Sequence, residues 1–260
     1  MSPLTDIAVN LCSSQFDDVD AIVERADAAG VTRLLNLAGD LAEAQQGIDL
    51  CQRFAQVYST AGVHPHYASS WHGESQQQLR QLFNQPKLVA VGECGLDYNR
   101  DFSPRPQQRQ AFAEQLQLAA ELNKPVLLHC REAYQDLVPM LQQHRAQLPA
   151  AVLHCFTGTE QELEHALGLD CYIGITGWIC DERRGQELRR LVRQIPAERL
   201  LLETDAPYLL PRDLKPKPKS RRNEPSLLPH IAQTVATLRG QSVETIAKLS
   251  HDNATRAFSL

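Results

Sequence analysis

Two stretches, "PVLLHCRE" (Pro125 to Glu132) and "AAVLHCFTG" (Ala150 to Gly158), carry the same pattern twice. Each is a short apolar run that ends in Leu-His-Cys and then turns polar, as a buried parallel strand does where it emerges from a sheet. His129 and His154 therefore stand at the same point of two consecutive strands. In a barrel of parallel strands their imidazoles converge over one mouth, because the C-terminal strand ends line the pocket there.

Short runs rich in Val, Ile and Leu recur on both sides of this pair. In order they are "DIAVNLC" (from Asp6), "RLLNLAG" (Arg33), "VYSTAGVHP" (Val57), "LVAVGECGLD" (Leu88), "PVLLHCR" (Pro125), "AVLHCFTG" (Ala151), "CYIGITG" (Cys171) and "LLLETDAP" (Leu200). Polar stretches with helical spacing follow them. The clearest helix runs from Pro106 to Leu122, with Phe112, Leu116, Ala119 and Ala120 on one face and Gln, Arg and Glu on the other. Eight such units predict an α/β fold, a TIM-type (β/α)8 barrel forming a single domain over residues 1–260, with an open doubly wound sheet as the competitor. No Gly-rich nucleotide-binding loop follows any strand, which argues against dinucleotide or P-loop chemistry. After the eighth run comes a loop rich in proline and basic residues, "LPRDLKPKPKSRRNEP" (Leu210 to Pro225), then helical stretches over Ser226–Arg239 and Ser242–Phe258, the last of which should cover part of the barrel.

Of the 260 residues, 43% are hydrophobic and 22% charged, a balance that gives a real core and excludes disorder. A net charge of -5 excludes a molecule that binds polyanions over its whole surface, so any polyanion must be held locally. No segment approaches the roughly 18 to 20 apolar residues of a membrane span, and "MSPLTDIAVNLCSSQF" lacks the pattern of a signal peptide. The expected location is the cytoplasm. Seven cysteines without a C-x-x-C pair read as reduced packing residues, Cys94, Cys130, Cys155 and Cys171 among them. No apolar face demands a partner, which predicts a monomer.

The polar residues at the strand ends are Asn10 and Cys12, His64 and His66, Glu93 and Asp97, His129 and Arg131, His154, Thr176, and Glu203 and Asp205. Joining His129 and His154 to Glu93 and Asp205 gives two nitrogens and two carboxylates at one point. Buried carboxylates are too costly to gather unpaired, so this set predicts a divalent metal site suited to Zn²⁺, Mn²⁺ or Mg²⁺. Glu203, an even step from Asp205, faces inward or pairs with an arginine. Pro65 aims His64 or His66 into the mouth, or else those residues cap the loop. Lys215, Lys217, Lys219, Arg221 and Arg222 form a proline-stiffened basic loop suited to a phosphate, with Arg131 and Arg212 in support. Tyr98, Trp178 and Tyr208 can stack on bases or pack. His72, His144, His165, His230 and His251 read as surface or packing residues.

"GVHPH", "VGECGLDY", "PVLLHCR", "VLHCFTGT", "YIGITGW" and "LLLETDAPYLLP", followed by "KPKSRRNEP", resemble the TatD family of metal-dependent deoxyribonucleases from about Asp6 to Phe258. The resemblance implies a barrel of the metal-dependent hydrolase type that cleaves phosphodiester bonds. At its finest it implies a 3′ to 5′ exonuclease preferring single-stranded DNA, with RNA as a further substrate and a role in DNA repair. The family's metal ligands carry over onto Glu93, His129, His154 and Asp205. Where many members have a His-x-His pair at the first strand end, this chain has Asn10-Leu11-Cys12, which favours Mg²⁺ over a pair of Zn²⁺ ions and leaves Mn²⁺ as an alternative. Glu93 and Asp205 are then the catalytic carboxylates, Asp205 taking the proton of an attacking water. His64, Lys217, Arg221 and Arg222 neutralise the phosphate. The rival readings are a barrel hydrolase acting on small amides, lactones or phosphotriesters, and a nucleic-acid-binding descendant without catalysis.

Overall fold

Each of the eight apolar runs forms a strand, and the strands lie side by side in chain order in one parallel sheet. The computed structural model describes residues 2–260. The strands are β1 (Leu4–Val9), β2 (Val31–Asn36), β3 (Val57–Ala61), β4 (Leu88–Asp97), β5 (Val126–Arg131), β6 (Ala151–Leu153), β7 (Tyr172–Ile175) and β8 (Leu200–Leu202). Between and after them run α1 (Val19–Ala28), α2 (Leu41–Arg53), α3 (Ser75–Leu82), α4 (Arg105–Glu121), α5 (Tyr134–His144), α6 (Glu160–Gly168), α7 (Gln186–Leu191), α8 (Leu228–Arg239) and α9 (Val243–Phe258). The ring closes just past β8, where Val9 and Ala206 form a parallel bridge. There Asp205 N–H donates to Ala8 O at 2.9 Å and Asn10 N–H to Ala206 O at 2.8 Å. The sheet is therefore a barrel, and the open doubly wound alternative falls away.

Alternate side chains of each strand point into the ring or out toward the helices. Val89, Leu127, Val152 and Leu201 pack in the interior with Ile7 and Leu35, while Leu34, Val126, Leu153 and Ile173 join the layer shared with the helices. The N-terminal mouth is stopped by α9, whose Ala254, Ala257 and Phe258 belong to the interior cluster. Polar contacts fasten it: Leu202 N–H donates to Ser250 Oγ at 2.9 Å, and Asn253 Nδ2 donates to Leu200 O at 2.8 Å. One mouth is thus closed by α9, and chemistry belongs at the other.

Helix α4 departs from its sequence reading in an informative way. Gln108 and Gln115, which pattern alone assigns to the outer face, are buried. Gln115 accepts from Val63 N–H at 2.8 Å and donates to Val63 O at 3.0 Å, holding the residue before His64. Gln108 does the same for Asp97, accepting from its N–H at 2.9 Å and donating to its C=O at 3.1 Å. Buried polar groups persist where each is paired, and here the pairs fix loop ends at the open mouth.

Because Phe258 is buried in the plug, Phe258→Ala should cost about 3–5 kcal/mol of stability. A urea titration of the variant checks this, and a loss below about 1 kcal/mol would show that the barrel floor does not depend on α9.

Candidate metal centre

The inward alternation that fills the barrel also sets the side chains of the open mouth. His129 lies two residues beyond interior Leu127, His154 two beyond Val152, and Glu203 two beyond Leu201, so all three continue inward-facing rows. Strand β4 needs more. Val89 faces the interior but Val91 packs against the helices, so strict alternation fails between them. Register shifts against β3 at Leu88–Ala90 and against β5 between Val91 and Cys94 re-aim the strand and bring Glu93 inward. Gly92 makes this possible: its φ is +151°, and a Cβ there would lie 2.4 Å from Leu127 O. On β7, Gly174 leaves space for Glu203, since a Cβ would fall 2.6 Å from Glu203 Oε1.

Three imidazoles converge on one oxygen of Glu93. His154 Nε2 is 2.7 Å from Glu93 Oε1, His129 Nδ1 is 2.9 Å away, and His64 Nε2 is 3.4 Å away. Behind two of these rings stands another buried carboxylate. His129 Nε2 meets Asp97 Oδ2 at 3.2 Å, and the same oxygen lies 2.8 Å from His66 Nε2. His154 Nδ1 lies 3.4 Å from Glu203 Oε2, close enough for attraction but not aligned as a hydrogen bond, and both atoms are buried without another partner. The other Glu203 oxygen accepts from Cys155 N–H. Asp205 completes the group, with Oδ1 accepting from Asn10 Nδ2 at 3.1 Å.

The charges respond to this crowding. Burial opposes ionisation of Glu93, but His154, His64 and His129 outweigh it and hold the carboxyl well below its usual range. Burial also opposes the Asp97 anion, and hydrogen bonds from His129, His66 and the Arg100 N–H again prevail. His154 is pushed well above the ordinary imidazole value, Glu93 and Glu203 overcoming its burial. Asp205 moves the other way: burial, with Glu93 and Glu203 nearby, raises it to about 7 despite His154. Burial lowers His64 to about 4, so that ring is neutral.

This donor set fits a divalent cation. One carboxylate oxygen cannot satisfy three imidazoles, whereas a cation among them would take the lone pairs of His129 Nδ1, His154 Nε2 and Glu93 together. With an ion bound, Asp97 and Glu203 would stand behind the two histidines as the carboxylates that orient their imidazoles. His64 differs. It lies in the same cluster as Glu93 and His129, all ligand atoms within 4.8 Å of one another. Its Nδ1, however, accepts from His66 N–H at 3.0 Å, which puts the proton of the neutral ring on Nε2 and makes it a donor toward the mouth.

Above the cluster opens a cleft of 610 Å³ lined by Arg100, Arg131, Arg184, Tyr67, Trp178 and Tyr208 among others. Its cations differ from those the basic loop suggested. Arg222 is bound to acidic side chains, Asp18 at 3.1 Å, Asp17 at 3.4 Å and Glu224 at 3.0 Å, which gives it a structural task in place of phosphate binding. Lys217 lines a separate cavity with Asp181, Arg212 and Asp213, and Arg221 is exposed outside the cleft lining. Arg131 does line the cleft, joined by Arg100 and by Arg184, which lies 4.6 Å above the Trp178 ring. Tyr98 is committed to packing, its hydroxyl donating to Asp136 at 2.5 Å and Arg105 covering its ring at 4.3 Å. Tyr208 and Tyr67 are 51% and 50% exposed at the rim. Phe102, 66% exposed, sits edge-on to His66 with ring centroids 4.8 Å apart.

At the first strand end, Asn10 holds Asp205, but Cys12 turns away. Its Sγ faces Asn36 Oδ1 at 3.7 Å and Glu43 O at 3.8 Å, and burial raises its thiol to about 12. Among the described residues the inward Glu203 pairs with no arginine; its partners are His154 and the Cys155 N–H. The sequence pattern marks Asp97 only as a strand-end residue, with its even step from Glu93 as the available signal, and offers His66 only as a ring aimed into the mouth or a loop cap, not as the partner of Asp97.

A family model described as TatD related DNase matches residues 5–259. The chain is 56% identical to the 3′-5′ ssDNA/RNA exonuclease TatD of Erwinia tasmaniensis, over 98% of this chain and 99% of that protein. It is 53% identical to the protein of the same name from Escherichia fergusonii, over 98% of each chain. Among solved structures, the TatD homologue YJJV of Escherichia coli superposes with a TM-score of 0.90 at 28% identity, covering 99% of this chain and 98% of that one. A TatD family hydrolase from Entamoeba histolytica gives the same TM-score of 0.90 at 27% identity, over 99% of each chain.

Asp97 accepts from two imidazoles, and Asp97→Asn would leave it a single carbonyl acceptor. The variant should bind Mn²⁺ about 10 to 100-fold more weakly than the parent by calorimetric titration. Equal affinities would mean that Asp97 does not orient His129 for a metal.

Proposed function

The chain belongs to the TatD-related DNase family, and from that premise we propose that it is a metal-dependent 3′ to 5′ exonuclease acting on single-stranded DNA or RNA. The observation that carries this reading is the convergence of His129 and His154 on Glu93 at the floor of an arginine-lined cleft. Glu93, His129, His154 and Asp205 would hold the cation, with Mg²⁺ favoured over Mn²⁺ or Zn²⁺ because Cys12 is turned away, so the first strand end offers neither imidazole nor thiolate to a second ion in the cleft. When bound, a divalent ion supplies Lewis acidity to the phosphoryl oxygen and lowers the pKa of water from about 15.7 to as low as about 7.

The chain's own residues do the rest. Asp205, steadied by Asn10, accepts the proton of the attacking water. His64 presents its Nε2 proton to a phosphate oxygen, and Arg100, Arg131 and Arg184 offset the charge of the backbone and of the transition state. Asp97 and Glu203 keep His129 and His154 in the tautomers that face Glu93. Tyr67, Trp178 and Tyr208 give terminal bases flat surfaces on which to stack without regard to sequence. Lys217 and Arg221, on an exposed loop, meet the strand only outside the cleft.

Glu93, His129, His154 and Asp205 line one cleft of one barrel, a centre that needs no residue from a second copy, which supports a single-domain monomer over residues 1–260. Among the described residues no helix is long and apolar enough to cross a membrane. Seven free thiols suit the reducing cytoplasm.

A single-stranded oligonucleotide labelled at its 5′ end tests the proposal, incubated with Mg²⁺, Mn²⁺, Zn²⁺ or EDTA. The expected result is a ladder that shortens from the 3′ end, stops with EDTA and disappears in Glu93→Ala and His154→Ala. An intact oligonucleotide under every metal, bound or unbound, would overturn it in favour of a non-catalytic binder or a small-molecule hydrolase.

A further inference from the structure

A second set of metal-type donors lies outside the cleft. Cys180 ends the short helical turn Gly177–Cys180 after β7, Asp213 sits in the loop after β8, and His230 lies in the first turn of α8. One ligand atom from each lies within 4.8 Å of the other two. His230 Nε2 is 2.7 Å from Asp213 Oδ1. None of the three lines the cleft above Glu93. The sequence pattern reads His230 as a surface or packing residue, and nothing in the exonuclease chemistry uses it.

We propose that Cys180, Asp213 and His230 form a Zn²⁺ site, completed by water, that ties the basic loop to the wall of the cleft. Thiolate sulfur, imidazole nitrogen and a single carboxylate oxygen suit zinc and do not suit Mg²⁺ or Ca²⁺, which prefer oxygen alone. Ligand atoms around a tetrahedral zinc stand about 3.3–3.8 Å apart, so the cluster closes by a small shift of Asp213 on its loop. Cys180 is buried while Asp213 and His230 are half-buried, leaving an open side for the ion and for a water as fourth ligand. On binding, Cys180 loses its thiol proton to solvent, and the hydrogen bond between His230 and Asp213 gives way to two bonds to the ion.

Burial holds the free Cys180 thiol up, to about 12, and a cation bound at the sulfur displaces that proton outright. Thr234 Oγ1 lies 3.4 Å from Cys180 Sγ and is anchored by its own bond to His230 O at 3.1 Å. Its proton is held by that carbonyl, so Thr234 accepts from the thiol in the metal-free protein and can donate to a thiolate only by releasing His230 O. The consequence is mechanical. Trp178, two residues before Cys180, lines the cleft, and Lys215 and Lys217 follow Asp213 in the loop. Zinc would fix these two elements and α8 to one another, setting the cleft wall without entering the chemistry at Glu93.

Cobalt distinguishes this site from the other, because its near-ultraviolet charge-transfer band requires a thiolate ligand and the Glu93 cluster offers none. Chelator-stripped full-length protein should develop that band when titrated with Co²⁺ and lose it when Zn²⁺ is added. The band should vanish in Cys180→Ser and fall sharply in His230→Ala, yet persist in Cys155→Ser, whose thiol lines the cleft. Cobalt binding without the band, a band undiminished in Cys180→Ser, or one lost only in Cys155→Ser would overturn the assignment. Circular dichroism verifies that each variant is folded; if Cys180→Ser is not, Asp213→Ala replaces it and should likewise reduce the band.

Discussion

Closure of eight parallel strands into a ring is the constraint from which the rest follows. Once Val9 pairs with Ala206, no strand has a free edge, and the direction of every side chain is set by its place in the alternation. Interior positions near the N-terminal mouth are filled by Ile7, Leu35, Leu127, Val152 and Leu201 and sealed by Phe258 of α9. The same rows, continued two residues toward the other mouth, place His129, His154 and Glu203. A well-packed floor and a polar roof thus come from one geometric rule applied along each strand.

Such a roof is costly to build. Glu93, Asp97 and Glu203 are all buried, and buried carboxylates destabilise a fold unless they are paired. The chain meets most of that demand with imidazoles, as the depressed Glu93 and Asp97 and the elevated His154 record. It leaves His154 Nδ1 and Glu203 Oε2 without a hydrogen-bond partner, and it crowds three rings on a single oxygen. A fold optimised only for stability would replace these groups with apolar ones. Their retention is what a cation-binding centre requires, since its ligands need their lone pairs directed at one point and a second row of carboxylates to hold them there.

Much of this was legible in the sequence. The repeated Leu-His-Cys runs gave the strands, their order and the meeting of His129 with His154, because burial on both faces makes a strand almost uniformly apolar and its polar end conspicuous. What pattern could not supply was anything decided by distant pairing. Gln108 and Gln115 are polar on a helix and so count as outer face, yet each is buried against a backbone segment far away in sequence. The sequence places the cleft's cations in the densest run of lysines and arginines with Arg131 in support; the fold keeps Arg131, at the end of β5, and adds single residues after β4 and after β7. Arg222 was lost from that set because Asp17, Asp18 and Glu224 surround it. His230 had no nearby cysteine or carboxylate to mark it, since Cys180 and Asp213 reach it from two other loops.

Glu93, His129, His154 and Asp205 are the proposed ligands of the working cation. Anomalous diffraction from a crystal soaked in Mn²⁺ tests this assignment most directly, since the signal locates the ion without reference to activity. A peak is expected at the floor of the cleft within bonding distance of Glu93 and both histidines, absent from crystals of Glu93→Ala. A protein that degrades single-stranded DNA while showing no peak there would contradict it.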